Sequence, residues 1–273
     1  MCLLLTVPGF AQGRLNQAKE ELNKEKEEKP ATTTQQSNTE PNSQQEEEDG
    51  SRSNFVNAIL LPFYVIKYSK LALFGKYKEE IHLHNNLSYF PYFDGESGNY
   101  LIEKPDVSYE PKLGRIDLSD NILFSDAIYG NHLKVKLRPS KYFYFQVDYF
   151  MLLEKKQNDK GFDNLDFYNF NFCYDRLRFN KFNLGWTMGA NYVASGVGKG
   201  GFTYGLNMEV FLKPKISLSA SFKGSKINES ELNELEMKSK FHVRRFHFSP
   251  GYEMIQIGTN YFHFLALGVG AYF

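Results

Sequence analysis

The strongest constraint on this chain is an alternation of side-chain character with a period of two residues, which recurs from about Leu113 to Phe273. In Tyr142–Glu154 one face carries Phe143, Phe145, Val147, Tyr149, Met151 and Leu153, and the other Tyr142, Tyr144, Gln146, Asp148 and Glu154. In 182–192, Phe182, Leu184, Trp186, Met188, Ala190 and Tyr192 oppose Asn183, Gly185, Thr187, Gly189 and Asn191. The same holds for Phe202–Leu212, for Ile216–Lys223 and for Leu265–Phe273, where Leu265, Leu267, Val269, Ala271 and Phe273 oppose Ala266, Gly268 and Gly270. Successive side chains of a β-strand point to opposite faces, so each run reads as a strand with one apolar side. A soluble sandwich buries its apolar face and seldom shows repeated Gly, Ala and Ser on the other. Small residues facing inward suit a narrow closed barrel, and an aromatic-aliphatic outer band suits lipid. Closure also pairs every backbone polar group where no water can do so.

Candidate strands fall near 113–124, 128–138, 141–154, 164–175, 181–194, 201–213, 215–226, 234–243, 246–257 and 260–273. The expected fold is therefore all-β, a closed antiparallel transmembrane β-barrel of about ten strands, within a range of eight to twelve, preceded by a short helix and a disordered tail. Tight connections at Pro139-Ser140, Lys213-Pro214 and Arg244-Arg245 and a slightly longer one near Arg176–Asn180 alternate with longer ones at Gln157–Asp163, Ser195–Gly200 and Asn228–Leu232, with Gly258–Asn260 the short exception. With both the N-terminal segment and the C-terminus periplasmic, the tight turns would face the periplasm and the long ones the outside.

Composition narrows the class. No run approaches the roughly 18–20 apolar residues of a membrane-spanning helix; the longest, Ala58–Ile66, contains Pro62. The 32 Lys+Arg balance 32 Asp+Glu, which gives no global electrostatic case for nucleic acid. Aromatic residues make up 16% of the chain, as amphipathic, aromatic-edged strands require.

Ahead of the barrel, predicted at 105–273, Met1–Ala11 reads as the end of a secretory signal peptide, apolar and closing on Gly9-Phe10-Ala11. Its loss would remove Cys2 and leave Cys173 as the single cysteine, so no disulfide within the chain. Residues 12–52 are Glu, Lys, Gln, Asn, Ser and Thr with little to bury, the composition of a disordered polar tail. Residues 53–104 read as a periplasmic segment with one short amphipathic helix inside Phe55–Phe74, carrying Ile59, Phe63, Ile66, Leu73 and Phe74 on one stripe. Segment 79–104 can add a strand, plug the lumen or lie beneath the barrel.

With its alternating last strand ending in Phe273, beside Tyr272, the chain resembles small outer-membrane β-barrel proteins of Gram-negative bacteria. That resemblance implies an assembly signal at Leu265, Leu267, Val269, Ala271 and Phe273, read by the barrel assembly machinery during insertion. Phe90-Pro91-Tyr92, Gly95, Gly98-Asn99-Tyr100, Gly251-Tyr252 and Ile255-Gln256-Ile257-Gly258 also resemble an uncharacterised barrel family with no assigned activity. It transfers no catalytic residues.

Chemistry-bearing residues are few. His247-Phe248-Ser249, with Glu253 on the same parity, has the His-x-Ser spacing of outer-membrane lipid A deacylases. However, it falls inward near the Arg244-Arg245 turn rather than at a lipid-facing outer end. His82 and His84 could share a metal from one strand face but lack a third ligand nearby. No cofactor is called for, and Gly196–Gly201 reads as a hairpin rather than a phosphate loop. The sharper feature is lumen charge: Lys134, Lys136, Arg138, Lys238 and Lys240 share the inward face with Asp148, Glu209 and Glu253, alongside His132, Asp117, Glu154 and Asp175. The reading favoured is a non-enzymatic outer-membrane anchor or accessory subunit, in contact with outer-membrane lipid and meeting an envelope partner through residues 13–104. A narrow anion-preferring channel is the alternative if the lumen lysines lack carboxylates, and a lipid-modifying enzyme the third.

Overall fold

Ten stretches whose side chains alternate between an apolar and a polar face can satisfy both faces at once by rolling up, and they do so here. In the computed structural model the described residues are 13–24, 68–95, 98–102, 114–126, 128–156, 161–213 and 215–273. The ten barrel strands are β3 (Arg115–Phe124), β4 (Ile128–Arg138), β5 (Tyr144–Lys155), β6 (Phe162–Arg178), β7 (Phe182–Val193), β8 (Lys199–Lys213), β9 (Ile216–Ile227), β10 (Ser230–Val243), β11 (Phe246–Ile257) and β12 (Asn260–Tyr272). Each pairs antiparallel with its neighbours in sequence, and β12 closes the ring on β3 from Leu265–Phe124 to Tyr272–Asp117. Beyond the ladder, Phe273 and Ile116 exchange backbone hydrogen bonds at 2.9 and 3.1 Å. The all-β, closed antiparallel ten-strand barrel expected from the alternation is thus the observed fold.

The outer wall is apolar all round. Leu118 and Ile122 on β3, Phe170 on β6, Phe202, Tyr204 and Leu206 on β8, and Leu265, Leu267 and Val269 on β12 are all exposed. A belt of this extent far exceeds the isolated apolar patches that water-facing surfaces carry, and strands of ten or more residues are long enough to cross a bilayer core. No described helix is long and apolar enough to do so. Inside, small residues give the wall room: a Cβ on Gly189 of β7 would sit 1.9 Å from the Phe170 carbonyl oxygen of β6.

Two bulges shape one end of the barrel, between Asp175 and Leu177 on β6 and between Phe211 and Lys213 on β8. An extra residue bends a strand and re-aims a side chain. Here the first turns Arg176 toward Glu80, which it grips through both guanidinium nitrogens at 2.7 and 3.0 Å. That end is covered by residues 80–95 and 98–101: a 3-10 turn at Ile81–His84, then β1 (Asn86–Leu87) paired with β2 (Tyr100–Leu101). The hairpin neither joins the barrel sheet nor fills it; it caps the mouth. Gly98 holds it close to the wall, with a left-handed φ of 92° and no space for a Cβ, which would lie 1.9 Å from the Asn180 carbonyl oxygen. His82 and His84 therefore lie on a 3-10 turn, not on a strand.

The opposite mouth holds α1 (Arg14–Asn23), and here the structure corrects the sequence reading, in which these residues belonged to a disordered tail. Leu15, Ala18 and Leu22, spaced three and four apart on one helix face, are fully buried within an apolar cup of strand ends that includes Leu123, Phe150, Leu152, Phe167, Ile255 and Phe264. Glu154 caps the helix, its carboxylate accepting from the Leu15 and Arg14 amides at 2.9 and 3.3 Å. Glu21 accepts from the Thr259 amide and hydroxyl at 2.7 and 2.6 Å, and Asn228 and Ser230 donate to the Leu22 and Glu21 carbonyls at 2.6 and 2.8 Å. A polar chain with three well-spaced apolar residues is ordered because the barrel supplies the rest of its core.

Turn lengths differ less between the two ends than the sequence suggests. Asn228-Glu229 is a two-residue link on the α1 side, as short as the expected exception at Gly258-Thr259, while 139–143 spans five residues on the capped side. The signal peptide at 1–11 and most of the tail lie outside the described residues. So does most of the helix expected inside 55–74. Within the unit comprising residues 26–79, residues 68–74 are helical and Lys76 pairs with Glu79 at 2.9 Å.

Leu22→Ala should weaken the seating of α1 by about 2–5 kcal/mol. Protease cleavage within 13–24 of the folded barrel should accelerate in proportion, and an unchanged cleavage rate would count against the cup as what holds the helix.

Candidate functional site

Because alternate residues of every strand face inward, the lumen is built from the polar half of the pattern. Nearest the hairpin cap, Arg115 and Arg138 bracket Asp117 at 2.6 and 3.1 Å, and Arg138 also reaches Asp175 at 3.2 Å. Lys240 pairs with Glu209 at 2.9 Å, and Glu209 also accepts from Ser217 at 2.9 Å. At mid-height Lys134 contacts Glu236 at 2.7 Å, Lys238 bridges Glu236 and Glu253 at 2.9 and 2.8 Å, and Lys223 joins Asp148 and Glu234 at 2.7 and 3.3 Å. His132 lies between Glu253 and Asp148, its two ring nitrogens 2.9 and 3.1 Å from carboxylate oxygens. Ionised groups taken out of water are tolerated when paired and hydrogen-bonded, and this network meets that condition almost throughout.

Of the residues expected in the charge cluster, Lys134, Arg138, Lys238, Lys240, Asp148, Glu209 and Glu253 join this network. Lys136 is the exception: among the described residues it has no carboxylate within ion-pair distance, and it stands 5.4 Å from the Tyr144 ring centroid. Glu154 caps α1 instead, and Asp175 accepts from the Tyr100 hydroxyl at 2.6 Å as well as from Arg138. Sequence reasoning missed Arg115, Lys223, Glu234 and Glu236 as members. Their signal was available, because Glu234 and Glu236 keep the parity of Lys238 and Lys240 on β10, and Lys223 that of Ser217, Ser219 and Ser221 on β9.

Between the mid-height pairs and the cap lies a polar cavity in which the centres of water molecules can occupy about 60 Å³, lined among others by Ser119, Lys136, Tyr144, Ser219 and His247. At roughly 10–15 Å³ per ordered water this holds a handful of molecules. His247 and Ser249 are buried on the inner face. They lie at the capped end and not on the lipid surface, so they lack the setting in which a His-x-Ser pair could reach a lipid. His132, Glu236 and Glu253 bring three ligand atoms within 4.8 Å of one another. That spacing suits a cation, and the ammonium groups of Lys134 and Lys238 already meet it. Cys173, free and buried, donates to Thr187 Oγ1 at 3.2 Å as a small filler.

The cap is wired to the barrel by its own polar groups. Arg178 donates to the Leu83 and Tyr142 carbonyls at 3.0 Å each, and Asn85 to the Arg178 carbonyl at 2.7 Å. The Tyr92 hydroxyl donates to the Ile216 carbonyl, and burial with the nearby Glu209 carboxylate pushes its phenol up to about 12. Burial likewise raises the Tyr100 phenol. His82 stacks on Phe179 with ring centroids 4.6 Å apart, and burial lowers its imidazole below the ordinary 6.5 despite Glu80.

The capped end also holds the C-terminus, since Phe273 pairs with Ile116 there, whereas α1 docks at the hairpins of Glu154, Gly196 and Thr259. The expectation that the N-terminal segment and the C-terminus share one side therefore fits residues 80–95 and 98–101 and fails for α1.

A closed barrel with an apolar outer belt and a polar, ion-paired interior is a transmembrane β-barrel. No known family profile matches the chain, and no curated protein is similar to it. Among solved structures, it is similar to the outer-membrane protein Ail of Yersinia pestis in a phospholipid nanodisc at 13% identity, over 59% of this chain and 99% of that one, with a TM-score of 0.34. The N-terminal β-barrel domain of OprF from Pseudomonas aeruginosa is similar at 11% identity, over 59% and 99%, with a TM-score of 0.29. A de novo designed transmembrane β-barrel is similar at 13% identity, over 60% and 100%, with a TM-score of 0.32. Likenesses this distant add nothing to the strand pairing, which defines the barrel by itself.

Two measurements bear on the site. Lys223→Met leaves Asp148 and Glu234 short of a partner and should lower stability by about 3–5 kcal/mol in urea titrations of the detergent-solubilised barrel. Lys226→Met, on an exposed pair with Glu229 at 3.7 Å, should cost less than about 1 kcal/mol. Equal losses would contradict a buried, interdependent network. For the cap, a base whose folded value lies below its unfolded one stabilises fully above 6.5 and loses that contribution as the pH falls. The opening constant of the Leu83 amide, from hydrogen exchange corrected for intrinsic rates, should therefore rise from about pH 7 to pH 5 and flatten in His82→Gln. A slope retained in the variant would assign it to another group.

Proposed function

We propose that this chain is an outer-membrane β-barrel that acts as a non-enzymatic anchor or accessory subunit of an envelope complex. The observation that carries the reading is a lumen filled by ion pairs and covered at both mouths, by α1 on one side and residues 80–95 and 98–101 on the other. A conduit needs a continuous aqueous path, which barrels of about eight strands lack because side chains fill them and barrels of about sixteen provide. The alternative of a narrow anion-preferring channel required lysines free of carboxylates, and three of the four in question are paired. In this reading the C-terminal strand, with Leu265, Leu267, Val269, Ala271 and Phe273 on its outward parity, is the segment that the assembly machinery engages. Its end and the hairpin cap then face the periplasm, and α1 the outside.

The cap is the surface best suited to a periplasmic partner. The apolar face of α1 is directed inward, whereas Ile81 of the cap is 82% exposed. Extraction of the full chain from native membranes in mild detergent should yield a stoichiometric partner that Ile81→Asp releases while the barrel keeps its heat-modifiable mobility. In planar bilayers the purified chain should give no steady conductance. Migration as a lone folded monomer would remove the accessory role, and a stable ohmic conductance would remove the closed lumen.

A further inference from the structure

Five basic side chains line the lumen cavity. Four of them stand in ion pairs: Lys134 on Glu236, Lys238 on Glu236 and Glu253, Lys240 on Glu209, and Arg138 on Asp117 and Asp175. Among the described residues, Lys136 is left without a carboxylate in contact. Its register neighbours are Asp117 on β3 and Gln146 on β5, but Asp117 is already bracketed by two arginines and Gln146 donates to Asp148 at 2.9 and 3.1 Å. Its contact with the Tyr144 ring is shared with Arg138, whose guanidinium carbon lies 4.0 Å from the same centroid. A second, independent observation concerns the wall itself. Among the described residues, His247, more than nine-tenths buried, leaves Nδ1 without a partner, and Ser219 Oγ is likewise unpartnered, both on residues that line this cavity.

An uncompensated ammonium in an enclosed, low-dielectric space is costly unless a counter-charge reaches it. The cavity is polar and wide enough for a few water-sized particles. We infer that the lumen cavity is a binding site for a small inorganic monoanion of halide size, held by Lys136 and enclosed between the ion-pair network and the hairpin cap. The occupant is retained, not conducted, because the same pairs and cap that create the cavity close it. A single unpaired ammonium calls for a single negative charge. The anion gives Lys136 the local counter-charge that carboxylates give the other lysines.

The test uses the full chain refolded in detergent with bromide as the only halide, so that the ion can enter before closure. Anomalous diffraction at the bromine edge should show one peak within hydrogen-bonding reach of Lys136 Nζ, absent from Lys136→Gln and Lys136→Met crystals grown identically. In solution the thermal midpoint of the parent chain should rise by several degrees in chloride relative to gluconate at equal ionic strength, and that difference should vanish in both variants. Absence of the peak from the parent chain, its persistence without Lys136, or an equal chloride effect in all three proteins would overturn the proposal.

Discussion

Everything in this molecule follows from the requirement that backbone amides and carbonyls be paired where no water is available. The ladder between β12 and β3, extended by the mutual hydrogen bonds of Phe273 and Ile116, turns ten hairpin-linked strands into a ring without edges. Once the ring is closed, the period-two geometry leaves no freedom: one set of side chains must meet lipid and the other must meet itself. The outer belt of Phe, Leu, Tyr and Val and the inner population of Gly, Ser, Asn and charge are two consequences of one covalent regularity.

The interior solves its packing problem in two different ways along the barrel axis. Toward the cap it is electrostatic, with acids and bases brought from strands distant in sequence, such as Lys134 of β4 and Glu236 of β10. Toward the other mouth it becomes apolar, with Phe150, Leu152, Phe167, Ile255 and Phe264 converging on a helix that belongs to no strand. The first zone confers specificity of register, because a slip of one residue would place charges in the membrane. The second behaves like a small soluble core, and α1 has the amphipathic spacing such a core demands. Glu154 joins the two regimes, a carboxylate that finds helix amides instead of a lumen cation.

Much of this was legible in the sequence, because parity is a strong and repeated signal. The ten strands, the inward direction of His247 and Ser249, and most of the lumen charges could be read directly from alternate positions. Other features escaped for physical reasons. Leu15, Ala18 and Leu22 are too few to announce a helix against so polar a background, and their order depends on a receptor made by residues far away. Phe150 and Leu152 sit on the inward parity of β5, so that a contrast between apolar and polar faces passes over them. The hairpin of β1 and β2 has two-residue strands, too short to show alternation. Arg176 owes its direction to a bulge, which no periodicity encodes.

The seating of α1 has a bearing on the order of events during biogenesis. Its contacts come from Glu154 on β5, Gly196 after β7, Ser230 on β10 and Thr259 before β12, so its receptor does not exist until the last strand has been laid down. Although α1 precedes every one of these strands in the chain, it can take its place only afterwards. Docking of this helix is therefore a record that the ring has been completed: an early-made segment whose place exists only once the last strand is there.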